Sequence, residues 1–119
     1  MYILIYKHMD YLFTYGLFRD AGKTLLGKDA IYCGKAFIKG KLYKVNEFYP
    51  GYIESNTGKV WGDVYLFDPI NLPAMDEYEG DEYVRKQVVT STDVKCWVYE
   101  YKYDVSKFEQ ITCGDWILR

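Results

Sequence analysis

The chain has 119 residues, half of them hydrophobic and 14 of them tyrosine, with a formal net charge of −2. That length suits one domain with one site and leaves no room for a separate substrate domain, and the composition excludes a disordered or coiled-coil chain. Lysines are interspersed with acidic residues, so no basic face offers itself to nucleic acid or anionic lipid, and no apolar run reaches the length of a membrane span.

The run Met1 to Ile5 is too short, and lacks the flanks, to be a signal peptide, so a cytoplasmic location is the default expectation. Met9 stands just before a strand-like run and is a candidate start. Residues 1–8 would then be an N-terminal extension, and 9–119 the domain. Asp10 to Tyr15 reads as a buried strand that stops at Gly16, followed by a polar stretch from Arg19 to Lys28 with weak helical character. Ile31 to Ile38 and Leu42 to Val45 read as two strands of a hairpin that turns at Lys39-Gly40-Lys41. Further turns are expected at Tyr49-Pro50-Gly51 and Ser55 to Gly58. Val60 to Phe67, apolar on both faces, reads as a central strand.

A short helix follows, with Asp68 as N-cap, Pro69 at its first position and Gly80 just past its end. Tyr83 to Thr90 and Val94 to Tyr103 form a second expected hairpin across Ser91-Thr92-Asp93. Trp97, Tyr99, Tyr101 and Tyr103 fall on one of its faces, as core packing or as a pocket wall. Cys33, Cys96 and Cys113 are odd in number and widely spaced, which fits reduced, structural thiols rather than a disulfide framework. Many short strands with one or two short helices predict an α+β fold. Its sheet is expected to be mixed, predominantly antiparallel and curled into a small barrel.

One carboxylate in the helix stands out. Glu79 lies four residues after Met75 and seven after Leu72, so all three share one stripe of the helix, and that stripe is apolar. A glutamate there, half-buried and near the negative end of the helix dipole, is expected to have a raised pKa and to exchange protons at neutral pH. Asp76 is the rival, because it lies only about 40° from Leu72 around the helix.

Other chemistries fail on spacing. Gly22-Lys-Thr24 imitates a phosphate loop, but the interval from Gly16 to Gly22 is one residue too long. His8 is the only histidine, which disfavours histidine-assisted nucleophiles, and the cysteines lack zinc-ligand spacing; no cofactor or metal is expected.

Four segments, in order, resemble the γ-glutamylcyclotransferase-like family. Leu12-Phe-Thr-Tyr-Gly-Leu-Phe-Arg19 resembles its first strand and Tyr-Gly-Ser/Thr-Leu-Arg loop, and Val60-Trp-Gly-Asp-Val-Tyr65 its central strand. Met75-Asp-Glu-Tyr-Glu-Gly80 with Tyr83-Val-Arg-Lys86 resembles its Leu-Asp-x-Tyr-Glu-Gly helix end and Tyr-x-Arg-Arg, and Cys113-Gly-Asp-Trp116 its terminal Ser-Gly-Asp-Trp. The resemblance implies a single small-molecule γ-glutamyl substrate cyclised to 5-oxoproline with release of an amine. It implies Glu79 as acid/base and Tyr15, Gly16, Leu17 and Phe18 as the substrate-binding loop. Leu17 and Phe18 depart from the family's Ser/Thr-Leu and remove a hydroxyl donor. That departure leaves a second expectation open, a non-catalytic domain that binds a small ligand in the same pocket.

Overall fold

The structure, a computed structural model, describes residues 8–16, 26–27 and 29–119. Six strands form one sheet: β1 (Asp10–Thr14), β2 (Ile31–Lys44), β3 (Pro50–Phe67), β4 (Tyr83–Val89), β5 (Lys95–Tyr101) and β6 (Glu109–Gln110). Their spatial order is β4-β5-β1-β3-β2-β6, and β5 also pairs with β3. Antiparallel pairing dominates, while β5 runs parallel to both β1 and β3. The sheet curls into a half-barrel. Ser91, in the turn between β4 and β5, donates its N–H to the Phe37 carbonyl at 2.8 Å and receives the Phe37 N–H on its Oγ at 3.0 Å, tying that turn to β2.

The expected hairpin at Lys39-Gly40-Lys41 does not form. β2 runs straight through it, and its partner is β3, with Lys39 opposite Lys59 and Gly40 opposite Glu54. Residues 55–58 are therefore extra on the β3 side, where Ser55 Oγ accepts the Thr57 N–H at 3.3 Å. The Lys-Gly-Lys punctuation marks a bulge, the kind of irregularity that bends a strand without ending it. The connection that does turn is at 45–49, where Asn46 Oδ1 accepts the N–H groups of Phe48 and Tyr49.

β3 lies between β1 and β2 and is buried on both faces near Val64 and Tyr65. At Gly62 a Cβ would stand 2.2 Å from the Thr14 carbonyl oxygen, so only glycine lets β1 cross there. β5 feeds two cores. Cys96 and Val98 pack with Phe13, Ile38 and Val60, while Tyr99 packs with Leu12, Phe67, Leu72 and Met75. The cysteines are all free, as expected, but only Cys96 is buried and Cys33 and Cys113 are exposed.

After β3, Asp68 Oδ1 accepts the Ile70 N–H at 3.0 Å and caps a single 3₁₀ turn, Pro69–Asn71, that leads into helix α1 (Leu72–Glu79). Two helical turns are marginal alone. Burial of Leu72 and Met75 holds them, each contributing roughly 1.5–3 kcal/mol. The Cys113-Gly-Asp-Trp116 segment pins the other side. Gly114, at φ 70°, accepts the Trp61 N–H at 2.8 Å, Trp116 is buried, and the buried Asp115 pairs with Lys35 at 3.2 Å. No helix among the described residues is long and apolar enough to cross a membrane.

Candidate active site

A cavity of about 380 Å³ opens between the end of β1 and the end of α1. One wall is β1 and its exit, with Thr14, Tyr15 and Gly16; the opposite wall is Tyr78, Glu79 and Glu82, and Tyr49, Pro50, Tyr83 and Tyr99 complete it. Such a volume is at the lower end of the ~300–1,000 Å³ found for small-molecule sites. Glu79, Tyr15 and Gly16 thus share one hollow. Leu17 and Phe18, expected in the same loop, lie outside the described residues, as does most of the stretch from Arg19 to Lys28.

Glu79 is the last residue of α1. The chain leaves the helix at Gly80 with φ 74°, a torsion that favours glycine, although a Cβ there would meet nothing within 4 Å. Half-buried, with no cation beside it among the described residues, the Glu79 carboxyl has its pKa raised by desolvation to about 7. Asp76, the rival, faces the other way. Arg85 donates from Nε at 2.8 Å to Oδ1 and from a terminal nitrogen at 3.2 Å to Oδ2, and the Tyr99 hydroxyl donates to Oδ1 at 2.6 Å. Burial pushes the Asp76 carboxyl up, but those donors outweigh it and hold the group below its usual value. Asp76 is a structural anion, and its guanidinium partner also lies 4.3 Å over the Trp97 ring.

Tyr15 forms the floor. Its buried hydroxyl donates to the Tyr99 carbonyl at 2.5 Å and accepts the Tyr52 N–H at 3.2 Å, so it joins the exit of β1 to β3 and β5 at one atom. Burial first, and the nearby Tyr83 and Glu79 next, drive its pKa well up and keep it protonated. Gly16 has a packing reason to be glycine. A Cβ would come 2.8 Å from Pro50 Cδ, so the Pro50 ring, rather than a ligand alone, occupies the space a side chain would need. Pro50 in turn accepts the Tyr83 hydroxyl at 2.6 Å on its carbonyl. The reading of positions 97 to 103 as one aromatic stripe divides here, because of the four only Tyr99 lines the cavity. Pattern reading missed Pro50, Thr14, Tyr49 and Glu82. Tyr83 was visible as part of its motif, but only the sheet's curl shows which of its neighbours meet it.

The family model "Gamma-glutamyl cyclotransferase, AIG2-like" matches residues 12–118, from β1 through the buried Trp116. The chain belongs to that family. A γ-glutamylcyclotransferase family protein of Escherichia coli K12, YtfP, is 35% identical over 81 residues, spanning 66% of this chain and 69% of that one. The solution structure of Escherichia coli YtfP superposes with a TM-score of 0.72 at 31% identity, covering 90% of this chain and 96% of that one. A crystal structure of an AIG2-like protein from Mus musculus, at 22% identity, shares the fold with a TM-score of 0.70 over 86% of this chain and 85% of its own. Membership in the family makes a γ-glutamyl cyclotransferase-like function the natural class for this cavity.

Proposed function

We propose that the chain cyclises a γ-glutamyl amide to 5-oxoproline and a free amine, with Glu79 moving the proton. The observation that carries this reading is a carboxylate with a pKa of about 7 on the wall of a small cavity in a cyclotransferase-family fold. The substrate supplies its own nucleophile. Glu79, ionised, takes a proton from the α-ammonium; the freed amine attacks the γ-carbonyl carbon and closes a five-membered ring. The carbonyl oxygen then carries the negative charge, for which the backbone amides at Gly16 and in the loop after it are the donors this reading assigns. As the oxygen re-forms its double bond, the carbon–nitrogen bond to the amine breaks and protonated Glu79 delivers its proton to the departing nitrogen; the regenerated carboxylate then takes the surplus proton of the ring nitrogen and passes it to the released amine, which leaves as an ammonium.

An intramolecular nucleophile held in this geometry can lower the barrier by about 7–11 kcal/mol, so the protein need only fold the substrate and relay protons between its two nitrogens. A pKa near 7 suits both halves of that relay. The Tyr15 and Tyr83 hydroxyls are engaged by carbonyls, which leaves Glu79 as the group on the wall poised to exchange a proton at neutral pH. The test is 5-oxoproline release from a panel of γ-glutamyl amides by the wild type and by Glu79→Gln. Release by the wild type and none by the variant is the expected result; undiminished release by the variant removes Glu79 from the reaction. Binding without any product by the wild type would instead favour a non-catalytic module that holds the same ligand.

A further inference from the structure

A second hollow, of about 410 Å³, opens on the outer side of α1. Asp76, Asp81, Arg85 and Lys102 line it together with Tyr83 and Tyr99, and the two tyrosines also border the catalytic cavity. Within it Arg85 and Asp76 satisfy each other. The guanidinium Nε and one terminal nitrogen bond the two carboxylate oxygens, and the other terminal nitrogen has no acceptor among the described residues. Asp81 and Lys102 differ from that pair. Both are exposed, and among the described residues neither forms an ion pair, with the other or with any third charge. The Lys102 ammonium lies instead 5.7 Å over the Tyr103 ring. The walls thus hold one uncommitted anion and one uncommitted cation, too far apart to pair, with phenol side chains beside them.

We propose that this hollow binds a free α-amino acid with an apolar side chain, as its zwitterion, at a site separate from the catalytic cavity. The α-ammonium meets the Asp81 carboxylate. The ligand carboxylate meets the Lys102 ammonium and the remaining terminal nitrogen of Arg85, and each contact is a charge-assisted hydrogen bond. Charge balance selects the class. With Arg85 and Asp76 neutralising each other, a simple anion drawn to Lys102 is repelled by Asp81, and a simple cation drawn to Asp81 is repelled by Lys102. A molecule carrying both signs a few bonds apart gains both attractions. The phenol side chains of Tyr83 and Tyr99 offer its own side chain an apolar surface. Nothing in this site depends on the cyclotransferase reading, because Glu79 is not among its walls.

The experiment is calorimetric titration of the full chain with L-leucine, 4-methylpentanoate and 3-methylbutylamine, the second lacking the ammonium and the third the carboxylate. L-Leucine is expected to bind with a millimolar or lower Kd, about tenfold more tightly than either single-charge analogue, the size of one charge-assisted contact. Asp81→Asn and Lys102→Gln, which alter only exposed side chains, should each weaken leucine binding about tenfold. Asp81→Asn should at the same time strengthen 4-methylpentanoate binding, because a like charge is gone. Glu79→Gln should leave the leucine affinity unchanged, since Glu79 borders the other cavity. No leucine binding at millimolar concentration, equal affinity for the three compounds, or an affinity that survives both Asp81→Asn and Lys102→Gln overturns the proposal. Leucine binding lost in Glu79→Gln but kept in the other two variants places the ligand in the catalytic cavity and overturns it as well.

Discussion

The two sides of α1 treat a carboxylate in opposite ways. On the outer side Asp76 meets a guanidinium and a phenol and stays charged; three residues on, Glu79 turns to the cavity, meets no cation among the described residues and holds its proton to about pH 7. The contrast teaches that position on the helix, rather than acidity of the segment, separates an anchor from a proton carrier. One acid is bound in place by partners, and the other is made reactive by desolvation.

The comparison breaks first at Glu79→Gln. Removing a general acid/base is expected to cost about 10²–10⁴-fold in turnover. The same change should stabilise the protein at alkaline pH. Because the native pKa of about 7 lies above the 4.5 of the free side chain, the folded chain holds the extra proton between those values. The stability tied to neutral Glu79 is complete below pH 4.5 and lost as pH rises through about 7. Glutamine, which never ionises, should therefore leave stability unchanged in acid and raise it above pH 7 by roughly 1–3 kcal/mol in chemical denaturation. A variant that is less stable at pH 8 than the wild type would show that Glu79 is not held in a desolvating site.

The pH profile sharpens the same point. Cyclisation starts with ionised Glu79, so its rate should fall about tenfold per pH unit below the pKa of about 7. A profile flat down to pH 5 would assign the step to another group. Next comes Tyr15→Phe, which touches both sides of the contrast, since the Tyr15 hydroxyl bonds the carbonyl of the same Tyr99 whose phenol holds Asp76. Its loss strands the buried Tyr52 N–H and should cost about 1–3 kcal/mol of stability. A cost below 0.5 kcal/mol, an order-of-magnitude floor for a lost hydrogen bond, would mean the floor of the cavity is not held as described. The smallest effect belongs to Asp76→Ala. It removes a partly exposed ion pair and a phenol contact worth about 1 kcal/mol, read as a modest drop in Tm, with turnover changed far less than in Glu79→Gln.

Much of this was legible in the sequence because the signals were local. The stripe of Leu72, Met75 and Glu79 is a matter of helical spacing, and the start at Asp68-Pro69 and the stop at Gly80 are punctuation that backbone chemistry enforces. The alternation in β4 and β5, and the apolar run of β3, were readable for the same reason. The false hairpin at Lys39 to Lys41 has a different origin. Glycine between lysines satisfies a turn and a bulge equally, and only the long pairing of β2 with β3 decides between them. Asp76 and Glu79 could not be separated by spacing alone, because the partner that separates them, Arg85, arrives from β4 through tertiary packing. Glu82 and Pro50 were silent until the sheet curled and brought their segments to one hollow.

The glycine-to-proline contact at the cavity rim has one more consequence. Gly16 fits against Pro50, Pro50 holds the phenol of Tyr83 across 33 positions of sequence, and Tyr15 reaches Tyr99 across 84. No short piece of the polypeptide carries the hollow by itself; it comes into being only when remote stretches have already docked. Catalytic competence and global cooperativity should consequently vanish together on heating, and a molecule lodged in that space should raise the melting temperature of the entire sheet.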